Sequence, residues 1–322
     1  VMGGSLGGLT AALSLRDAGC DVEVYERSSR PLTGQGAGIV LNPATVRYFR
    51  EHAILDLSEV SVGASWVRYI DRDGNIADEK PCTYRFSSYN ALYRGLLDCF
   101  GTNDYHMGEA VIGFDQDNDG VNVRFASGQS KRCDLLVCAD GIRSTARKLL
   151  LPNVSPEYAG YIAWRGTVGE AELRPHTFAL LREAITYHVM PNSHFLTYPI
   201  PVVDRSPGTR QPFVNWLWYR NVPKGPELDA LMTDRDGVMR EVSLNPGAIQ
   251  EHHIAKLRED ASSMLPPPPV EGVLRTTQPF IQLIFDCEVP IMAFGRVCLI
   301  GDAAFVACLL YTSDAADDLT RV

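Results

Sequence analysis

The sequence lacks any apolar run that approaches the ~20 residues of a membrane-spanning helix, so no membrane segment is expected. It also lacks a basic cluster, and its net charge is −9, which argues against nucleic acid and anionic membranes as partners. Its eight cysteines include no CxxC pair. The cysteine pattern therefore argues against a zinc site or a disulfide framework, and it favours a reducing cytoplasm; no metal is expected.

What the sequence does have is enough length and apolar content for a sizeable core. The chain has 322 residues, of which 45% are hydrophobic and 21% are charged. This composition is ordinary for a soluble globular protein. The length favours two domains.

The first 26 residues carry the most informative local pattern. A glycine-rich turn precedes an apolar-periodic helix, and a short strand, Val22 to Tyr25, then closes on Glu26. This order is typical of the phosphate-binding start of a dinucleotide-binding βαβ unit. Gly3 lets the chain turn sharply, Gly8 lets the helix pack close to the strand, and the helix N-terminus offers N–H groups to a pyrophosphate. Glu26 stands where an acid accepts hydrogen bonds from ribose hydroxyls.

One position departs from the GxGxxG pattern. Ser5 stands where the second glycine is usual, at the point where the backbone approaches the pyrophosphate. The alternative is an ordinary glycine-rich turn between a strand and a helix. We favour the nucleotide interpretation because strand, helix, second strand and acid follow one another in order.

Two later turns share this design. The short apolar runs DLLVCA and VCLI end in Asp140-Gly141 and in Gly301-Asp302. In a doubly wound sheet, ligands gather outside the carboxyl ends of the strands, where a carboxylate can accept hydroxyl donors. The three turns together predict one dinucleotide site.

The rest of the chain predicts a second, mostly antiparallel sheet. Residues 158–222 contain long runs of aromatic and β-branched residues, separated by Pro, Gly and Asn. Hairpins are predicted at 71–74 and 115–120, and residues 223–265 are predicted to be helical, with a stop at Pro266–Pro269.

The three turns, in this order, resemble the pattern of the group A flavoprotein monooxygenases, the FAD-dependent aromatic hydroxylases. The resemblance runs from Val1 to about Ala307. Several stretches are similar to the subgroup of 2,6-dihydroxypyridine 3-hydroxylases: GGSLGGLTAALSLRDAG, DVEVYERS, YAGYIAWRG, YPIP and GPELDALMTD.

The resemblance implies an α/β fold in which a Rossmann-like FAD-binding domain is interleaved with a mostly antiparallel β-sheet substrate domain. The FAD-binding domain is expected at 1–65, 85–155 and 275–307, and the substrate domain at 66–84 and 156–274. The resemblance also implies FAD contacts at the pyrophosphate turn (Gly3, Ser5, Leu6, Gly7), at the adenosine ribose (Glu26, Arg27), at the flavin side chain (Arg94), at the Asp-Gly turn (Asp140) and at the ribityl chain (Gly301, Asp302). A solvated helix position is the alternative for Arg94.

The chemistry implied by the resemblance belongs to the flavin. NAD(P)H reduces FAD, dioxygen adds at the flavin C4a atom, and the distal oxygen of the hydroperoxide attacks an electron-rich aromatic or hydroxypyridine-type ring. The second sheet would cover this ring. Candidate lining residues are Trp164, Tyr187, His188, His194, Tyr198 and Trp216. A packed aromatic or a surface histidine is the alternative for each, no catalytic base is assigned, and a homodimer is left open.

The alternatives on the same fold are a flavin halogenase and a flavin-dependent reductase or dehydrogenase. A flavin halogenase is rejected, because Arg220-Asn221 follows Trp216-Leu217-Trp218 where the WxWxIP signature needs Ile-Pro. A flavin-dependent reductase or dehydrogenase stays open, because fold alone does not fix function.

Both ends of the chain are expected to be unnatural. The sequence opens inside the first strand of the glycine motif. Residues 308–317 read CLLYTSDAAD, which is what a sequencing-library adapter encodes, so 308–322 are not expected to belong to the fold; a genuine short acidic tail is the alternative. The expectation is a fragment that itself binds FAD poorly and is inactive.

Overall fold

The structure is a computed structural model that describes residues 1–33, 38–41, 43–52, 55–201 and 213–306. The predicted tail at 308–322 lies outside these residues. The helices are α1 (Leu6–Asp17), α2 (Pro43–Glu51), α3 (Leu57–Val60), α4 (Tyr89–Phe100), α5 (Thr145–Leu150), α6 (Pro175–Leu181), α7 (Pro226–Leu231), α8 (Glu251–Met264) and α9 (Pro267–Arg275), with 3₁₀ turns at Glu170–Glu172 and Gly301–Ala303.

The strands between residues 157 and 221 follow the predicted aromatic and β-branched runs, whereas the first strand is Val24–Glu26 and not the predicted Val22 to Tyr25. They are β1 (Val24–Glu26), β2 (Gly38–Leu41), β3 (Ser61–Ile70), β4 (Ile76–Ser88), β5 (Tyr105–Met107), β6 (Val111–Gln116), β7 (Val121–Phe125), β8 (Ser130–Cys133), β9 (Leu136–Cys138), β10 (Glu157–Gly169), β11 (Ala184–Met190), β12 (Ser193–Ile200), β13 (Phe213–Asn221), β14 (Ser243–Leu244), β15 (Phe280–Glu288), β16 (Ala293–Phe294), β17 (Val297–Leu299) and β18 (Phe305–Val306).

The chain divides into two compact units. Unit 1 comprises Val1–Gly34, Tyr93–Ala159 and Phe285–Val322, and unit 2 comprises Gln35–Leu92 and Gly160–Ile284. These ranges differ from the predicted domains chiefly before residue 65, because β2 pairs with β4 and so belongs to the sheet of unit 2.

Unit 1 is built on a parallel sheet. β5 pairs with β1, and β9 pairs with β17, all in parallel. Met2 bridges Tyr25 on one side and Cys138 on the other, which joins the two pairs through the first residues of the chain. β9 is buried at every position, as expected for a parallel strand that is covered on both faces.

Unit 2 is built on a large, mostly antiparallel sheet. Among the described residues its strand order is β14-β15-β10-β13-β12-β11-β3-β4-β2, with β11 and β3 in parallel. One face packs on helix α6 through an apolar cluster: Val168, Leu173, Phe178, Leu181 and Val214. The predicted antiparallel sheet and the mixed α/β class are confirmed.

The predicted helical stretch at 223–265 is only partly helical. Residues 232–250, between α7 and α8, contain turns and the short strand β14. The proline run does end α8, but it also begins α9. Proline fits the first turn of a helix, because the N–H it lacks has no partner there.

Within the described ranges, no helix combines the length and the apolar character that crossing a membrane requires.

Candidate functional site

The predicted cofactor turns of unit 1 lie at one edge of its parallel sheet. Met2, Glu26, Cys138 and Leu299 stand at the carboxyl ends of neighbouring parallel segments. Each is followed by one of the predicted turns or, for Glu26, is itself the predicted ligand. The topology thus brings Glu26, Asp140 and Asp302 to one side of one sheet, which is where ligands bind in such folds.

The first turn needs its glycines for contact with neighbouring backbone. Gly3 has φ +97°, and a Cβ there would lie 2.3 Å from the carbonyl oxygen of Ala139. A Cβ on Gly8 would lie 1.8 Å from the carbonyl oxygen of Gly3, whereas one on Gly7 would meet nothing within 4 Å. The turn is therefore closed on its inner side and open at Gly7.

Helix α1 begins at this open side. Ser5 is its N-cap residue and uses no side-chain hydrogen bond to cap it. The first N–H groups of a helix have no partner within the helix, and they carry a partial positive charge. The start of α1 can therefore hold an anionic group; the contacts at Ser5, Leu6 and Gly7 stay a prediction.

Glu26 braces the same turn. Its side chain is buried, and its two carboxylate oxygens accept hydrogen bonds from the N–H groups of Gly4 and Ser28, each at 2.8 Å. The Tyr105 hydroxyl donates to the Gly4 carbonyl oxygen at 2.8 Å. The sequence did not indicate Tyr105, which follows no recognisable motif.

Asp140 caps the next helix. One carboxylate oxygen accepts from the Ser144 hydroxyl at 2.5 Å, and the other accepts from the N–H groups of Thr145 at 2.7 Å and Ala146 at 3.2 Å. The sequence predicted a cofactor contact here. The structure adds a positioning task, which holds the start of α5 against the Asp-Gly turn.

Arg147 joins two of the turns. It is fully buried, and its guanidinium donates to the carbonyl oxygens of Ile142, Asp302 and Ala303, the last at 2.9 Å. Its charge opposes the rise that burial causes in the pKa of Asp302. No sequence motif marks Arg147, although it ties the Asp-Gly turn to the Gly-Asp turn.

The remaining predicted contacts of unit 1 differ in exposure. Arg27 is exposed, and Arg94 is half-buried on α4.

Gly141 and Gly301 both have positive φ, +76° and +57°, and a Cβ on either would meet nothing within 4 Å. The open glycines thus include Gly7, Gly141 and Gly301, one in each turn.

The six predicted ring-lining residues divide between the two faces of the large sheet. Opposed residues in neighbouring strands share a face, and successive residues alternate. The register of β11, β12 and β13 therefore defines two groups. One face carries Tyr187, His194 and Tyr198, and the other carries Trp164, His188 and Trp216.

The second group has the contacts of a packed core. Trp216 is fully buried and donates from its indole N–H to the Thr276 hydroxyl at 2.8 Å. His188 is buried with its Nδ1 atom 3.1 Å from the carbonyl oxygen of Ile70. The structure therefore does not bring these residues to the face of the predicted tyrosines.

The first group lies on a face rich in phenol rings, which we call the tyrosine face (Tyr69, Tyr84, Tyr187, Tyr198 and Tyr219). The rings of Tyr69 and Tyr187 stack with centroids 5.4 Å apart. Burial and the neighbouring phenols raise the pKa of Tyr187, so its hydroxyl stays a donor at neutral pH. Burial lowers the pKa of His194, which keeps its imidazole neutral there.

Protein-family models match both halves of the chain. Residues 1–174 match a model described as an FAD binding domain, and residues 158–286 match one described as FAD binding domain-like.

Individual relatives extend this similarity to nearly the whole chain. The chain is 39% identical over 305 residues to 2,6-dihydroxypyridine 3-monooxygenase of Paenarthrobacter nicotinovorans, across 94% of this chain and 75% of that protein. The solved structure of 2,6-dihydroxypyridine-3-hydroxylase from Arthrobacter nicotinovorans aligns with a TM-score of 0.89 at 39% identity, covering 95% of this chain and 77% of the other. A Klebsiella pneumoniae protein solved with FAD and uric acid aligns with a TM-score of 0.75 at 23% identity, over 96% and 73% of the two chains. At that identity the likeness shows the fold alone.

Proposed function

Because the chain belongs to the FAD-binding monooxygenase family, we propose that it hydroxylates a hydroxypyridine-type or similarly electron-rich aromatic ring. The enzyme is an FAD-dependent monooxygenase by this membership. The substrate class is supported by the relative that acts on 2,6-dihydroxypyridine. The structural observation that carries the proposal is the single sheet edge at which the turns of unit 1 meet.

The residues at this edge fit FAD. The start of α1 offers N–H groups for the pyrophosphate, and Glu26 keeps lone pairs on each carboxylate oxygen for ribose hydroxyls beyond the bonds it accepts from Gly4 and Ser28. The open glycines leave room for a bound group at each turn. We assign pyrophosphate contacts to Gly3, Ser5, Leu6 and Gly7, ribose contacts to Glu26 and Arg27, and contacts further along FAD to Arg94, Asp140, Gly301 and Asp302.

FAD, when bound, supplies the redox and oxygen chemistry. The chain's own residues bind and orient the substrate. We assign ring contact to the tyrosine face, since aromatic side chains supply flat apolar area and polar tips. The Tyr187 hydroxyl, protonated at neutral pH, can donate to a ring substituent.

The reducing co-substrate and the compartment follow from the same proposal. NAD(P)H is the expected reductant and dioxygen the oxidant. The described cysteines are free thiols, which supports a reducing compartment such as the cytoplasm. Analytical ultracentrifugation of the FAD-loaded enzyme would show whether it forms a homodimer.

Oxygen labelling tests the function. The FAD-loaded enzyme is incubated with NADH or NADPH and a panel of hydroxypyridines and phenols under ¹⁸O₂. We expect at least one ring product that carries a single ¹⁸O atom, formed in step with NAD(P)H oxidation. Reduced organic product without label would favour the reductase alternative, and hydrogen peroxide as the sole product with every ring would contradict the proposal.

A further inference from the structure

Two histidines of the large sheet differ in what their ring nitrogens contact. His188, on the face of Trp164 and Trp216, is buried with its Nδ1 atom 3.1 Å from the carbonyl oxygen of Ile70. His194, on the tyrosine face, is half-buried, and within the described residues neither of its ring nitrogens has a hydrogen-bond partner. The nitrogens of His194 are therefore available to a ligand.

Aromatic and apolar neighbours hold the imidazole of His194. Its ring lies 4.6 Å from the ring of Tyr219, centroid to centroid, with an interplanar angle of 39°. Val189 is opposite His194 on β11, and Tyr219 is opposite it on β13. The buried ring of Tyr219 in turn contacts the ring of Tyr161. These contacts orient the imidazole and leave its nitrogens unoccupied.

His194 lies beside Tyr187 on the tyrosine face. Tyr187 is opposite Leu196, and His194 lies two residues before Leu196 on β12, so the two side chains are diagonal neighbours. Such neighbours are about 7–8 Å apart, a separation that one bound ring can bridge. Tyr187 is also half-buried, and its hydroxyl forms no hydrogen bond to any described residue. Both polar groups can therefore contact the same ligand.

The pair offers one acceptor beside one donor. Burial lowers the pKa of His194, and a neutral imidazole has one nitrogen that accepts a hydrogen bond. Burial raises the pKa of Tyr187, so its hydroxyl keeps its proton and donates. This arrangement complements a lactam, in which a ring N–H is next to a carbonyl oxygen. A 2-hydroxypyridine adopts the lactam form in water, whereas a phenol has a C–H group in place of the N–H.

We propose that His194 accepts a hydrogen bond from the ring N–H of the substrate, next to the ring oxygen that Tyr187 contacts, so that the enzyme selects hydroxypyridines over phenols. This inference rests on the proposed function and narrows its substrate class. A phenol in the same position leaves the acceptor nitrogen of His194 without a partner, which lowers the affinity for the ring that lacks the donor. Binding changes no covalent bond.

A matched pair of rings tests the proposal. 2-Hydroxypyridine and phenol differ at one ring position, and both are uncharged at pH 7. Each is titrated into the oxidised, FAD-loaded enzyme without reductant, and binding is followed through the absorbance of the flavin. We expect 2-hydroxypyridine to bind about tenfold more tightly than phenol, or better. Equal affinities for the two rings, or tighter binding of phenol, overturn the proposal.

Variants connect the preference to His194. His194→Phe keeps an aromatic ring against Tyr219 and removes both nitrogens, so we expect the affinity for 2-hydroxypyridine to fall about tenfold and that for phenol to stay unchanged. His194→Gln supplies an amide oxygen as acceptor and should keep a preference for 2-hydroxypyridine. His176→Phe, at an exposed position of α6, should keep the full preference. Full preference in His194→Phe contradicts the proposal, and His194→Leu replaces that variant if it does not fold.

The two proposals fail separately. Labelled product from a ring, together with equal affinities for 2-hydroxypyridine and phenol, rejects the contact at His194 and leaves the monooxygenase function intact. A preference that depends on His194, without labelled product from any ring, rejects the proposed function and leaves the contact at His194 standing.

Discussion

At the residue scale, the fold requires a glycine at position 8, whereas the glycine at position 7 is proposed to be required by the cofactor. Gly8→Ala forces a methyl group against the carbonyl oxygen of Gly3, at 1.8 Å before relaxation. The contact is with backbone, which cannot turn aside, so we expect a loss of about 3 kcal/mol in the free energy of unfolding. Chemical denaturation of the apoprotein measures it.

Gly7→Ala is the matched variant one residue earlier. Its methyl group meets no protein atom within 4 Å, and alanine favours a helix, so stability should stay within about 1 kcal/mol of wild type or rise. FAD affinity, measured by the quenching of flavin fluorescence, should nevertheless fall about tenfold, because the methyl group occupies space proposed for the cofactor. Unchanged affinity would show that FAD does not approach Gly7.

Arg147 gives a second prediction at this scale. Arg147→Met leaves the carbonyl oxygens of Ile142, Asp302 and Ala303 without their buried donor, and we expect a loss of about 3 kcal/mol in the free energy of unfolding. Lys148→Met, at the exposed neighbouring position, should stay within about 0.5 kcal/mol. Equal denaturation midpoints for the two variants would refute the role of Arg147.

The meeting of the turns at one sheet edge was predictable where a residue comes directly after a strand. Glu26, Asp140 and Asp302 follow short apolar runs, and the topology of parallel strands then brings them to one edge. Arg147 and Tyr105 act through contacts with backbone that is distant in sequence, and no local pattern encodes such contacts. The two faces of the large sheet could not be told apart from the sequence, because aromatic residues occur on both and alternation therefore gives no sign of which face packs on helices.

At the element scale, one buried carboxylate fastens α9 to the start of α6. Glu271 accepts from the N–H and the Nε atom of Arg174 at 2.7 and 2.9 Å and from the Thr177 hydroxyl at 2.6 Å. Burial acts to raise the pKa of Glu271, but these hydrogen bonds outweigh it, and the pKa lies below its ordinary value of 4.5. The carboxylate form is therefore favoured by folding.

The lowered pKa of Glu271 makes the free energy of unfolding depend on pH. A depressed pKa contributes stability that is complete above the unfolded value and is lost as the pH falls through the folded one. We expect Glu271→Gln to cost about 2 kcal/mol at pH 7, and the difference from wild type should shrink as the pH falls below 4.5. Glu251→Gln, which alters an exposed ion pair, should show neither effect. A difference that grows in acid would contradict the assignment.

Element types were more predictable than element ends. The aromatic and β-branched runs predicted the strands of the large sheet, whereas the first predicted strand, Val22 to Tyr25, is observed two residues later at Val24–Glu26. The proline run shows the limit. Proline can end one helix and begin the next, so the same four residues follow α8 and start α9. Only tertiary packing shows that a second helix begins there.

At the scale of the whole molecule, the proposed function requires one cofactor to contact turns that lie far apart in sequence. The first turn, the Asp-Gly turn and the Gly-Asp turn meet because β9 pairs with β17 and Met2 lies between β1 and β9. The three turns act as one binding site only if a single ligand contacts all of them.

A crystal structure of the FAD complex tests this claim most directly. We expect the pyrophosphate within hydrogen-bond distance of the backbone N–H groups at Ser5 to Gly7, ribose hydroxyls at Glu26, and the ribityl chain beside Asp302. FAD bound away from this edge, or in contact with one of the three turns and not the others, would contradict it.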